Sequence, residues 1–201
     1  MPDDPYADPA TGVMHNRLGL STAEELEAAE REITHAALIF LKESPVQPSY
    51  DLGHLCAIHL RIFGDIYDWA GQLRTVAIAK GSWFCLPRYI EPAAAEIFAQ
   101  LGKEHFLRRL AREEFLDRLT FYLGEVNAVH PFREGNARTI KLACDLLAAQ
   151  TDRPILRYEE SDAGQAAYIE AAKAAFSRNY EPLARLIVEA LERGRQAPPT
   201  A

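Results

Sequence analysis

Residues His130 to Thr139 read HPFREGNART and place a titratable base, a carboxylate, a Gly-Asn pair and an arginine within one short stretch. His130, neutral near pH 7, could take a proton from an incoming hydroxyl. Glu134 is the loop's only carboxylate, and Mg²⁺ favours such hard oxygen ligands alongside phosphate oxygens. Gly135 and Asn136 would let backbone amides approach phosphate. Arg138 offers a planar fork, and Lys141 follows one helical turn later. Pro131 stiffens the turn, and Phe132 is expected to anchor the loop in the core. The chemistry implied is a proton acceptor beside the phosphates of a nucleotide that carries a divalent cation.

The flanking residues must hold that loop. Phe115, Leu119, Tyr122, Val126 and Val129 recur at helical spacing before it, and Ile140, Leu142, Ala143, Leu146 and Leu147 follow. This is helix, tight loop, helix. The second helix begins near Gly135, so its free N–H groups and positive dipole end face the loop. Elsewhere, residues 1–20 are Pro- and Asp-rich and read as an irregular arm. Ser21 or Thr22 caps a Glu-rich helix reaching about Lys42, with a solvated polar face. A second helix follows Asp51 and runs towards Gly64. The segment 73–86 alternates Val76 and Ile78 with small residues and is punctuated by Lys80-Gly81-Ser82, a hairpin pattern. Helices are expected at about 90–107, 112–129, 136–150, 161–177 and 180–193, with a frayed tail over 194–201. The fold class is all-α, a helical bundle with one short β-hairpin, forming a single domain over 21–193.

The chain has 201 residues and 48% hydrophobic content, enough for a full core. Its formal charge of −7, with no basic run longer than Arg108-Arg109, argues against nucleic-acid binding. Neither a transmembrane helix nor a secretory signal is expected. Cys56, Cys85 and Cys144 sit among apolar neighbours and read as reduced thiols in a cytoplasmic protein. The spacing of His54, Cys56 and His59 does not bring three metal ligands onto one helical face. These histidines, like His15, His35 and His105, read as incidental.

HPFREGNART closely resembles the Fic (Fido) family signature, HxFx(D/E)GNGRxxR. The likeness extends to YADPATGVMHNRLGL, to IFGDIYDWAGQLRTVAIAKG (Ile62 to Gly81) and to YLGEVNAVHPF (Tyr122 to Phe132). The resemblance implies a protein adenylyltransferase that moves AMP from ATP, with Mg²⁺, onto a Ser, Thr or Tyr hydroxyl of a target protein. It makes His130 the general base, Phe132 the loop anchor and Glu134 the Mg²⁺ ligand. Gly135, Asn136, Ala137, Arg138 and Lys141 would hold the nucleotide, with Lys80 and Gly81 in reach of it. It also implies that 73–86 is a flap whose edge, Thr75, Val76, Ala77, Ile78 and Ala79, pairs with an extended target segment. Two positions depart from the signature: Ala137 stands for its second glycine and Lys141 for its last arginine. Ala favours a helical position by roughly 0.5–1 kcal/mol over Gly, whereas Lys141 keeps charge but loses the bidentate fork. Reduced activity or an altered nucleotide pose is the expected consequence, with the base and the metal ligand retained.

Many members carry an inhibitory helix with the motif (S/T)xxxE(G/N). Here Ser21 to Glu25 is followed by Leu26, and Ser177 to Glu181 by Pro182, so neither qualifies. The resemblance then implies a toxin restrained by a separate small antitoxin that supplies that helix. Two other functions compete: transfer of a different phosphate-linked group, and a weakened domain that serves as a binding module.

Overall fold

Where the sequence supplies a cap, a helix begins. The structure, a computed structural model, describes residues 4–196. In α1 (Ala23–Glu43), Thr22 Oγ1 accepts the Glu25 N–H at 3.3 Å and donates to Glu25 Oε2 at 2.7 Å, a capping arrangement worth about 1 kcal/mol. Asp51 caps α2 (Leu52–Phe63) by accepting the His54 N–H at 2.7 Å. Then follow α3 (Ile90–Lys103), α4 (Arg112–Val129), α5 (Asn136–Ala149), α6 (Asp162–Phe176) and α7 (Glu181–Gln196). The expected helix to 107 stops at Lys103, because His105, Phe106 and Leu107 take φ of 52°, 56° and 60°. A right-handed helix cannot pass through that region. At the other end α7 continues past the expected 193 to Gln196. The remainder of the predicted tail, and the first three residues of the arm, lie outside the described residues.

Two apolar clusters hold the helices together. One gathers α4 to α7 through Phe115, Leu119, Leu123, Ile140, Leu183 and Ile187. The other joins the arm, α1 and α2 through Tyr6, Leu26, Leu41, Ile58 and Phe63, and meets α5 at Leu142. Each such side chain contributes about 1.5–3 kcal/mol on burial. The arm is irregular but anchored. Ala7 bridges Met14, Tyr6 and Val13 are buried, and Tyr6 Oη accepts the Thr75 N–H at 3.0 Å.

The segment 73–86 carries less regular structure than its alternation predicts. A two-residue antiparallel ladder pairs β1 (Ala79–Lys80) with β2 (Ser82–Trp83), turning at Gly81 with φ 83°. The Phe84 N–H then reaches Ile78 O at 3.0 Å. Before that the chain is held by other partners, described below. Among the described residues, no helix is long and apolar enough to cross a membrane, and the three cysteines are free thiols.

Candidate active site

The loop is built from its two ends. His130 closes α4 in a left-handed conformation, φ 50° and ψ 62°, while its N–H bonds Val126 O at 3.1 Å. Phe132 is fully buried and stacks on His59 at 3.9 Å between ring centroids. The Asn136 side chain spans the turn, accepting the Phe132 N–H at 2.9 Å and donating to Phe132 O at 2.8 Å. That side chain is a brace for the loop, so only its backbone amide remains for a phosphate. Gly135 has φ 78°, and a Cβ there would lie 2.3 Å from the Phe63 ring. No side chain caps α5, which leaves its first-turn amides open to an anion. Ala137 lies in that first turn without a positive φ, so its methyl costs the backbone nothing.

His59, read as incidental, is part of this scaffold. Its Nδ1 accepts the Gly71 N–H at 2.9 Å, which leaves Nε2–H to donate to Glu134 O at 3.0 Å. Both ring nitrogens are therefore spent on shaping the loop. Burial pushes its pKa down to about 4.

The His130 imidazole stacks on Phe84 at 3.7 Å and 15°, and its Nδ1 is buried without a hydrogen-bond partner among the described residues. Burial first, then the charges of Lys80 and Arg74, push its pKa down to about 3. The ring is thus neutral at pH 7 and able to accept a proton. Depressed folded-state values have a stability consequence. The contribution of His59 and His130 is fully present above their ordinary 6.5 and is lost as pH falls towards 4 and 3. We expect the urea midpoint to decline already between about pH 6.5 and 5, above the carboxylate range. A midpoint flat over that interval would contradict neutral burial of these rings.

Arg138 does not stand free. One of its terminal nitrogens meets Glu30 Oε1 of α1 at 2.5 Å, the other donates to Thr34 Oγ1 at 3.0 Å, and the guanidinium lies 4.7 Å over Phe63. Glu134 Oε1 is 4.0 Å away and accepts the Gly135 N–H at 3.0 Å. The Tyr67 hydroxyl also donates to Glu30. The polar face of α1 is therefore not wholly solvated, since Glu30 turns into the site. Replacing Glu30 with alanine strands two donors, and a loss of about 1–3 kcal/mol is expected in chemical denaturation. Tyr67→Phe, which removes one donor and leaves the ion pair, should cost less.

Lys141 is also engaged. Its Nζ lies 3.9 Å from the Tyr168 ring and 4.9 Å from that of Tyr158, and burial lowers its pKa to about 8. A role on phosphate requires it to leave those rings.

Along residues 73–86, Thr75, Ala77 and Ala79 are exposed, while Val76 and Ile78 are half-buried. Lys80 and Gly81 form its exposed tip. Sequence reasoning missed Arg74, Phe84, Glu30 and His59. It also missed Arg133, which pairs with Asp4 of the arm at 2.6 Å. The first four reach the site from distant segments, and only the alternation of 73–86 hinted at any of them; Arg133 stands in the motif itself, and it is its partner that is distant in sequence. A separate cleft of about 460 Å³, lined by Ser49, Asp51, Glu91, Phe98 and Phe106 among others, contains none of the motif residues.

Comparison with known proteins adds to this geometry. Residues 49–148 match the Fic/DOC family model. The protein adenylyltransferase VbhT of Bartonella schoenbuchensis is 44% identical over 140 residues, 69% of this chain and 29% of that one. The chain thus spans under a third of that relative. The probable protein adenylyltransferase y4lH of Sinorhizobium fredii is 34% identical over 184 residues, 90% of this chain and 93% of its own length. Among solved structures, BepC of Bartonella tribocorum, a VirB-translocated effector protein with bound AMPPNP, superposes with a TM-score of 0.82 at 17% identity. It is covered over 95% of its chain by 92% of this one. At that identity the likeness speaks for the fold.

Proposed function

The chain belongs to the Fic/DOC family, and from that premise we propose that it is a protein adenylyltransferase using ATP. One observation carries the reading: a neutral imidazole with a free nitrogen, His130, stands one short loop away from an uncapped helix N-terminus. The names of the two relatives and the AMPPNP bound by BepC support it.

In this mechanism the target hydroxyl gives its proton to His130 as its oxygen attacks the α-phosphorus. The bond from that phosphorus to the bridging oxygen breaks, and pyrophosphate leaves. The open amides at the start of α5 stabilise phosphate charge. Arg138, fixed by Glu30 and Thr34, can still turn its remaining N–H donors to a phosphate. Mg²⁺ accompanying the triphosphate would neutralise charge on the departing pyrophosphate. Glu134 is the carboxylate available to hold it. Among the described residues no group of three His, Cys, Asp or Glu could hold a metal, which suits an ion bound mainly by phosphate and water.

The exposed edge of 75–79 would receive an extended target segment by strand pairing. We also propose restraint by a separate antitoxin bearing (S/T)xxxE(G/N). Of the two internal near-matches, Ser177 to Glu181 spans the turn between α6 and α7 and Ser21 to Glu25 straddles the N-cap of α1, and in neither does Gly or Asn follow the glutamate.

The test is to incubate wild type and His130→Asn with cell lysate and ATP labelled at the α- or γ-phosphate. His130-dependent α-label on protein supports the reading. Label transferred from the γ-position assigns a phosphotransferase instead, and absence of any transfer leaves a binding module. The engagement of both Arg138 and Lys141 by protein groups favours slow turnover over rapid turnover.

A further inference from the structure

Arg74 is almost completely buried, at 2% exposure, and has no carboxylate partner among the described residues. A lone buried cation costs several kcal/mol unless its donors are matched. Here they are matched by carbonyls alone. Nε donates to His130 O at 2.7 Å and one terminal nitrogen to Val76 O at 2.7 Å. The other terminal nitrogen serves both Val129 O, at 3.2 Å, and Cys85 O. The Arg74 N–H adds Pro131 O at 2.9 Å.

These carbonyls fall into two groups. Val129 and His130 end α4, where unpaired carbonyls and the negative dipole end attract a cation. Val76 and Cys85 lie on opposite limbs of the flap segment, before and after its turn. Next to Cys85, Phe84 covers the His130 ring, and the Cys85 N–H itself bonds Ala128 O at 3.2 Å. One planar guanidinium therefore joins both limbs of the flap to the backbone that carries the base.

We propose that Arg74 is a positioning residue that locks the flap edge and the His130 imidazole into one rigid body, so that a hydroxyl delivered along the edge arrives at the base. This rests on the transferase reading for its purpose, though not for its geometry. Lysine cannot substitute, because a single ammonium lacks the fork that reaches both limbs.

The first measurement needs no activity. In wild type, the amides of Phe84, Cys85 and His130 should exchange with solvent through one shared opening, with the same denaturant dependence. Flap amides exchanging at free-loop rates while that of His130 stays protected would overturn the proposal. In Arg74→Lys, and in Arg74→Met where it folds, Phe84 and Cys85 should exchange at least about tenfold faster, with α5 to α7 unchanged. Uniform acceleration across the helices would mean that Arg74 only supports the fold, and overturns the proposal equally.

The second measurement separates positioning from chemistry. Transfer of α-label to lysate protein should fall about 100-fold in Arg74→Lys, while release of AMP to water should fall less than about threefold. Equal losses in both reactions would sink the proposal. Absence of all transfer in wild type would instead sink the transferase reading, and the exchange result would still decide whether the clamp exists.

Discussion

His130→Asn should fold, retain nucleotide binding, and lose about 10²–10⁴-fold in transfer to protein. Asparagine is the informative replacement because position 130 has φ 50°, a region that asparagine tolerates better than alanine. The amide also removes the proton acceptor without adding charge. The pH dependence should be as informative as the loss. Above about pH 3 the free protein holds His130 neutral. The rate under kcat/KM conditions for nucleotide should therefore show no acid limb near 6.5, since that parameter reports the free enzyme. A base that weak transfers protons poorly, so the bound nucleotide must strengthen it. The triphosphate brings negative charge beside a ring now depressed by burial, Lys80 and Arg74, and opposite charge raises such a value. An NMR titration of the imidazole, with and without a non-hydrolysable ATP analogue and Mg²⁺, should show the value rising on binding. A ring titrating near 6.5 in the free protein, or unmoved by nucleotide, would contradict this account of the base.

The same residue shows where sequence reading succeeds. The order of groups in HPFREGNART is local, so base, carboxylate and helix start could be read directly. The bounds of α4 follow from the apolar spacing of Phe115 to Val129, and the structure places the helix at Arg112–Val129. What the local order could not give is the set of partners that make each group work. Arg138 meets Glu30 across 108 positions, His59 meets Glu134 across 75, and Arg74 meets His130 across 56. A glutamate on a Glu-rich helix, a histidine on an apolar helix and an arginine in a short strand pattern each look ordinary in isolation. The roles of Glu30 and His59 are set by the placing of α1 and α2 beside the motif loop and α5, and that of Arg74 by the seating of residues 73–86 on the end of α4. The early end of α3 was hidden for a different reason. His105, Phe106 and Leu107 adopt left-handed angles that no glycine or asparagine announces.

Gly135→Ala should be strongly damaging, with two separable causes. The position has φ 78° and ψ 5°, which costs an alanine roughly 1–2 kcal/mol. The new Cβ would also lie 2.3 Å from Cε2 and Cζ of Phe63. Overpacking of that kind costs typically 1–3 kcal/mol, so the sum is about 2–5 kcal/mol. Phe63 is fully buried, lies 4.6 Å from His59 between ring centroids and carries the Arg138 guanidinium. It cannot retreat without disturbing the groups that shape the loop. The Phe63→Ala, Gly135→Ala double variant separates the causes. Phe63→Ala alone should cost about 3–5 kcal/mol through the cavity it leaves. In the double variant the clash is gone, so the alanine at 135 should add only its backbone strain. A coupling of about 1–3 kcal/mol between the two positions is therefore expected in denaturant unfolding. Strict additivity would mean that the glycine is required for its backbone angles alone. Nucleotide affinity should not recover with stability, because a strained start to α5 misdirects the amides that face the phosphates.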